Sequence, residues 1–262
     1  MRDPHVEHFH YRLVSKPGIS FVGTPPPVEV QRDQFTARLE SGMLTVSPVE
    51  HHGSSDSARA VVDPYLRAWE IRHALWAGKP EFRFEFDHAE LVDRDPPPEE
   101  PGGPRRAHIV TVGTAVETDA ALSLHVGRAS YPTPPTNFAV DVDVETLWHR
   151  WTGYRAGREP LQSMAYFCLT VLEMHGGRDG AAQRFSISLR VLRKLAELTS
   201  NRGDVASARK ARAAATPLTG PEQAWLEKAV MKMIVRVGEV AADPTSQRPI
   251  LTLADLPSLS GT

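Results

Sequence analysis

The stretch EFRFEFDHAELV, residues 81–92, puts Phe82, Phe84 and Phe86 on one side of an extended chain and Glu81, Arg83, Glu85 and Asp87 on the other. Alternation with a period of two marks a half-buried strand, because successive side chains point to opposite faces of a sheet. Outward from it, FHYRLV (9–14), VEVQ (28–31), FTARLE running through Ser41-Gly42 into MLTV (35–46), and HIVTVGTAV (108–116) have the same character. YLRAWEIRHAL (65–75) fits neither period cleanly, and we read it as a further strand. Pro25-Pro26-Pro27 and HHGSSDS (51–57) supply turns, and DRDPPPEEPGGPRR (93–106) is a solvated, mobile loop.

After YPTPPTNF (131–138) the apolar spacing becomes helical. Asp143 caps a first helix containing Leu147 and Trp151, and Pro160 opens a second, LQSMAYFCLTVLEM, apolar on nearly every side and ending at His175-Gly176-Gly177. Such a helix is expected at the centre of a bundle. Two short helices follow, near 179–185 and 188–199. Thr219 and Pro221 then start an amphipathic helix with Trp225, Ala229, Val230, Met233, Ile234 and Val237 on its apolar stripe. The expected class is α+β. A β-rich domain at 1–140, mainly antiparallel and sandwich- or barrel-like, precedes an α-helical bundle at 141–242 and an extended tail at 243–262 whose leucines dock as a strap.

Composition narrows the function. With 41% apolar and 24% charged residues the chain is globular. No apolar run reaches the ~20 residues that a membrane span needs, and MRDPHVEHFH lacks the basic-then-apolar order of a signal peptide, so a cytoplasmic location without a membrane partner is expected. One cysteine, Cys168 within MAYFCLTVL, excludes a disulfide framework and reads as a small buried hydrophobe.

Charge is divided unequally. Residues 1–149 hold 14 Lys and Arg against 22 Asp and Glu, whereas 150–262 hold 16 against 10. Within 178–212, Arg178, Arg184, Arg190, Arg193, Lys194, Arg202, Arg209, Lys210 and Arg212 face only Asp179, Glu197 and Asp204. This segment contains AAQRFSISLRVLRKL (181–195), spaced like a helix-turn-helix: Ala181-Ala182 are small, Phe185 and Ile187 are apolar plugs, Ser188 is a cap, and Leu192 and Leu195 are core. Ser186 stands where glycine is usual and must take positive φ or force another turn.

Other constellations carry less. His5, Glu7, His8 and His10 have metal-ligand chemistry, and His8 and His10 share a strand face, yet no fourth ligand can be assigned. The segment is therefore expected to fray, and no metal or other cofactor is expected. His51, His52, Ser54, Ser55 and Asp56 include the residue types of a hydrolytic triad without a nucleophile elbow. Arg67 and His73 are spaced Arg-x5-His by chance. No phosphate-binding glycine loop, dinucleotide fingerprint or zinc-protease motif occurs. Were the chain an enzyme, its pocket would lie at the domain junction and be lined by Trp148, His149, Trp151, Tyr154, Arg155, Arg158 and Glu159, where aromatic packing is the plainer expectation.

SMAYFCLTVLE (163–173), LRVLRKLAEL (189–198) and AWLEKAVMKMIVRVGE (224–239) together resemble the HEPN-type helical domains of prokaryotic RNA-targeting and defence proteins, over less than half the chain. Active members carry Arg-x4–6-His on the last helix, but here Arg236 is followed by Val237, Gly238, Glu239, Val240, Ala241 and Ala242. The resemblance thus implies a helical bundle and no ribonuclease activity. The expected function is non-catalytic binding of RNA, DNA or another polyanion through Arg184, Arg190, Arg193, Lys194, Arg202, Arg209 and Lys210. The alternatives are docking on an acidic protein surface, homo-oligomer formation included, as a scaffold or accessory component of a bacterial complex, and an enzyme at the domain junction.

Overall fold

In the computed structural model, which describes residues 3–21, 25–95, 108–111, 126–174, 176–200 and 217–259, the alternating stretch is strand β6 (Phe82–Asp93). It pairs antiparallel with β1 (Pro4–Ser15), from Pro4 opposite Asp93 to Ser15 opposite Phe82. The remaining strands are β2 (Ile19–Phe21), β3 (Val28–Gln31), β4 (Phe35–Glu40), β5 (Met43–Pro48), β7 (His108–Thr111) and β8 (Val126–Arg128). Six of the eight form one antiparallel sheet in the order β3-β4-β5-β1-β6-β7, and β2 pairs with β8 in parallel. Ser41 (φ 52) and Gly42 (φ 77) make the two-residue turn between β4 and β5, where positive φ at both positions matches the twist of the strands. The class is α+β, as the sequence indicates.

The second layer of the N-terminal part is a helix and not another sheet. Residues 65–75, expected as a strand, lie inside α1 (Ser55–Ala77). Ala58, Val62, Leu66 and Trp69 recur at four- and three-residue intervals and are buried against Phe9, Tyr11, Leu44, Val46 and Phe82 of the sheet. Pro64 interrupts the helical pattern and hides this period from a window that starts after it. The Ser54 hydroxyl accepts a hydrogen bond from the Ser57 amide at the N-cap, and Gly78 closes the other end in the left-handed conformation. Two polar contacts fix the helix on the sheet: the Tyr11 hydroxyl donates to Asp63 at 2.7 Å, and the Phe84 amide donates to Glu70 at 2.7 Å.

Two irregularities between β1 and β6 govern their polar face. Val6 pairs with Leu91 and His8 with Glu90, so Glu7 is an extra residue on β1; His10 pairs with His88 and Tyr11 with Phe86, so Asp87 is an extra residue on β6. Each bulge reverses the alternation beyond it. Val6, Phe9 and Tyr11 therefore all reach the core, as do Phe82 and Ala89.

The chain divides into two compact units, Met1–Pro135 and Thr136–Thr262. The second holds α2 (Val142–Arg155), α3 (Leu161–Glu173), α4 (Gly177–Arg184), α5 (Leu189–Ser200), α6 (Gly220–Ala242) and a 3-10 turn at Leu253–Asp255. Helix α2 is capped by Asp141, not Asp143: Asp141 is extended and accepts from the Val144 amide at 2.8 Å, while Asp143 lies within the first turn. Helix α3 contacts α2, α4, α5 and α6, which accounts for its apolar circumference. Thr219 and Glu222 form a capping box at the start of α6. In the tail, Leu251 and Leu256 are buried, whereas Leu253 is exposed.

Candidate functional site

The basic segment begins on α4 and α5. Ser186 between them does adopt positive φ, at 51°. The Ser188 amide donates to the Leu251 carbonyl at 2.9 Å, and the Leu251 amide donates to the Ser186 carbonyl at 2.8 Å. The C-terminal tail is thus tied to the turn by backbone hydrogen bonds, and Phe185 and Ile187 on either side of Ser186 are buried. On α5 the apolar face of Val191, Leu192, Leu195 and Leu198 is buried. Arg190, Arg193 and Lys194, at i, i+3 and i+4, share the opposite face. Lys194 pairs with Glu197 at 2.9 Å, while Arg190 and Arg193 are exposed and have no ion pair among the described residues. Arg178 pairs with Glu173 at 2.7 Å. Arg184 is exposed, its guanidinium 5.6 Å from the centre of the Phe185 ring. Arg202, Asp204, Arg209, Lys210 and Arg212 lie outside the described residues, as do 96–106 of the proline-rich loop and 112–116 of the strand expected at 108–116.

Several other candidates have structural employment. Trp148 and Trp151 are buried in the helical unit, His149, Arg155 and Arg158 are exposed, Glu159 is half-buried, and the Tyr154 hydroxyl donates to Glu227. None of these lines the 380 Å³ cavity beside Arg150, Tyr166 and Phe167. Burial pushes the Cys168 thiol up to about 12, which keeps it protonated and inert. Arg67 and His73 fall on α1 and not on a strand; Arg67 pairs with Glu70 at 3.4 Å and His73 with Glu81 at 3.0 Å. His51 faces Asp3 at 3.4 Å, and Ser54 is spent as a helix cap.

The N-terminal histidines are not frayed. They belong to β1, which runs between β5 and β6. His5 is buried and stacks on His51 at 5.0 Å; burial, then Arg94, holds its pKa below the ordinary value. His8 and His10 lie on the sheet face away from α1, in two rows that cross three strands. One row is Ser47, His8 and Glu90, and the other is Thr45, His10 and His88. His8 Nδ1 lies 3.0 Å from Ser47 Oγ, and His10 Nδ1 lies 3.3 Å from Thr45 Oγ1. His88 Nδ1 donates to Asp87 Oδ2 at 2.8 Å, and Arg12 Nε stands 3.0 Å from the other oxygen of that carboxylate. His10 and His88 stack at 4.3 Å between ring centres, and His10 Nε2 reaches Glu90 Oε1 at 3.2 Å. Burial, with His88 alongside, holds the pKa of His10 below its ordinary value, so the imidazole is neutral near pH 7.

No family model, curated protein or solved structure matches the chain. In the histidine array, one donor atom from each of His10, His88 and Glu90 lies within 4.8 Å of the others, and the same holds for Glu7, His8 and Glu90. His88 and Glu90 are absent from the constellation that the sequence suggests. A strict period of two places them with Phe82, Phe84 and Phe86 in the core, and the bulge at Asp87 turns them outward. The signal that could have revealed them is Ala89: a small apolar residue between His88 and Glu90 fits the core only if the alternation reverses.

Proposed function

We propose that the protein is a non-catalytic nucleic-acid-binding protein that grips the phosphate backbone along the α5 ridge. The observation that carries this reading is the placement of the exposed Arg190 and Arg193, with the half-buried Lys194 beside them, on one side of a helix whose other face is buried. Held by that core, the three cations form a ridge that follows the helix axis, suited to successive phosphates. Contacts of this kind position a protein without reading sequence. The pattern resemblance of the helical stretches to HEPN-type domains makes single-stranded RNA the first ligand to test. Arg236, on the last helix, is tied to Glu239 at 2.8 Å and to the Pro249 carbonyl at 2.6 Å, which assigns it a structural task.

The test is fluorescence anisotropy of the full chain with labelled single-stranded RNA and duplex DNA over a salt series. The parent is expected to bind at low salt, with log affinity falling linearly against log salt. Replacing Arg190, Arg193 and Lys194 together by Ala is expected to remove most of that affinity and flatten the slope by about 2, since each neutralised phosphate contributes roughly 0.7–0.9. Absence of low-salt binding, or an unchanged triple variant, overturns the proposal. Light scattering that rises at low salt without nucleic acid would assign the ridge to self-association instead.

A further inference from the structure

We infer that the outward face of the β5-β1-β6 sheet binds one divalent first-row transition-metal ion through His10, His88 and Glu90. This inference lies in the other compact unit and does not depend on the nucleic-acid reading.

Position comes first. His10 and His88 are cross-strand partners, and Glu90 is one row along from them, so all three side chains leave one face of a hydrogen-bonded ladder. Backbone pairing to β5 on one side and within β1-β6 on the other holds their Cα atoms in place before any ion arrives. Their donor atoms are already within 4.8 Å of each other. Metal–ligand bonds of about 2.0–2.2 Å imply donor separations of roughly 3.3 Å, so the three side chains must draw together when the ion binds.

The surroundings are those of ligand histidines. An imidazole that ligates a metal through one nitrogen normally has the other hydrogen-bonded, which fixes both tautomer and ring orientation. His88 uses Nδ1 on Asp87, in the carboxylate–histidine pattern, and keeps Nε2 for the ion, while His10, with Nδ1 beside Thr45, aims Nε2 at Glu90 Oε1 at 3.2 Å and would exchange that hydrogen bond for a shared bond to the ion. His8, with Nδ1 beside Ser47, repeats the arrangement in the next row.

The donors select the ion. Two imidazoles and one carboxylate suit Zn²⁺ and its neighbours, whereas Ca²⁺ and Mg²⁺ prefer all-oxygen sites. Three protein ligands leave at least one coordination position for water. The partial exposure of Glu90 (34%), greater than that of His10 (15%), puts that position within reach of solvent on the Glu90 side. The contrary reading is a polar sheet surface whose hydrogen bonds are complete in themselves.

Calorimetric titration of the chelator-stripped full chain with Zn²⁺ separates the two. The expected result is one ion per chain. His88→Ala and Glu90→Gln should each weaken binding at least tenfold, and Asp87→Asn by about 10-fold through loss of ring orientation. His149→Ala, on the exposed side of α2, should bind as the parent does. Co²⁺ provides a second reading: its visible absorption should appear with the parent and vanish with His88→Gln, which keeps a polar side chain of similar size and whose fold is checked by circular dichroism. Failure of the parent to bind either ion, binding by the Glu90→Gln and Asp87→Asn variants equal to the parent, or equal weakening by His149→Ala overturns the inference.

Discussion

Glu81 shows how one residue can serve the fold at the cost of acid sensitivity. Its side chain is 4% exposed and receives both His73, at 3.0 Å, and the guanidinium of Arg128. Burial alone would raise its pKa, but Arg128 and then His73 outweigh burial and bring it below the ordinary 4.5. A carboxyl whose folded pKa is depressed adds stability above its unfolded pKa and loses it as the pH falls through the folded value. Glu81→Gln is therefore expected to lower stability at pH 7 by about 2 kcal/mol, the cost of leaving its partners incompletely satisfied. The gap between parent and variant should close as the pH falls below about 4.5. Urea denaturation at pH 7, 5 and 3.5 checks this, and a gap that is constant or grows in acid would remove Glu81 as its source.

In helix α6, packing reverses a propensity. Gly238 lies inside the helix, where alanine would ordinarily add about 1 kcal/mol of stability. A Cβ there would clash with the edge of the Phe138 ring, whose neighbour Ala139 donates its amide to the Gly238 carbonyl at 3.0 Å. Gly238→Ala should thus destabilise, by roughly 1–3 kcal/mol of overpacking. In a Phe138→Ala background the same change should become neutral or favourable, and a thermal-denaturation double-mutant cycle measures that coupling. This close approach was hidden in the sequence, which shows a good amphipathic stripe but not what lies against it. Elements with local caps were legible for the same reason: Thr219-Pro221 announces α6 because the cap chemistry is contained in adjacent residues. Helix α1 was not, since Pro64 splits its period and its cap at Ser54 lies in a stretch of turn residues. The histidine array was half legible. His8 and His10 are visible on β1, but His88 and Glu90 depend on a bulge at Asp87 that only strand pairing creates.

Charge is unequal between the two compact units. Counted by unit, residues 1–135 hold 14 Lys and Arg against 19 Asp and Glu and residues 136–262 hold 16 against 13, and each unit has its own core. The histidine array is built on a sheet packed by α1, and the α5 ridge on a helix packed by α3, so each proposed ligand would order side chains of a different core. Two sites influence each other only when a ligand has different affinities for two states that both sites share, and such coupling is reciprocal. Metal loading at His10, His88 and Glu90 should change nothing about the packing of Val191, Leu192, Leu195 and Leu198 behind the ridge. RNA affinity measured with and without one equivalent of Zn²⁺ should accordingly agree within about twofold, less than the ~5-fold at which coupling usually begins. In the same way, the Arg190, Arg193 and Lys194 triple variant should keep the parent's Zn²⁺ affinity. A change of tenfold or more in either direction would mean that the two units share a conformational equilibrium, and the independence argued from their separate cores would fail.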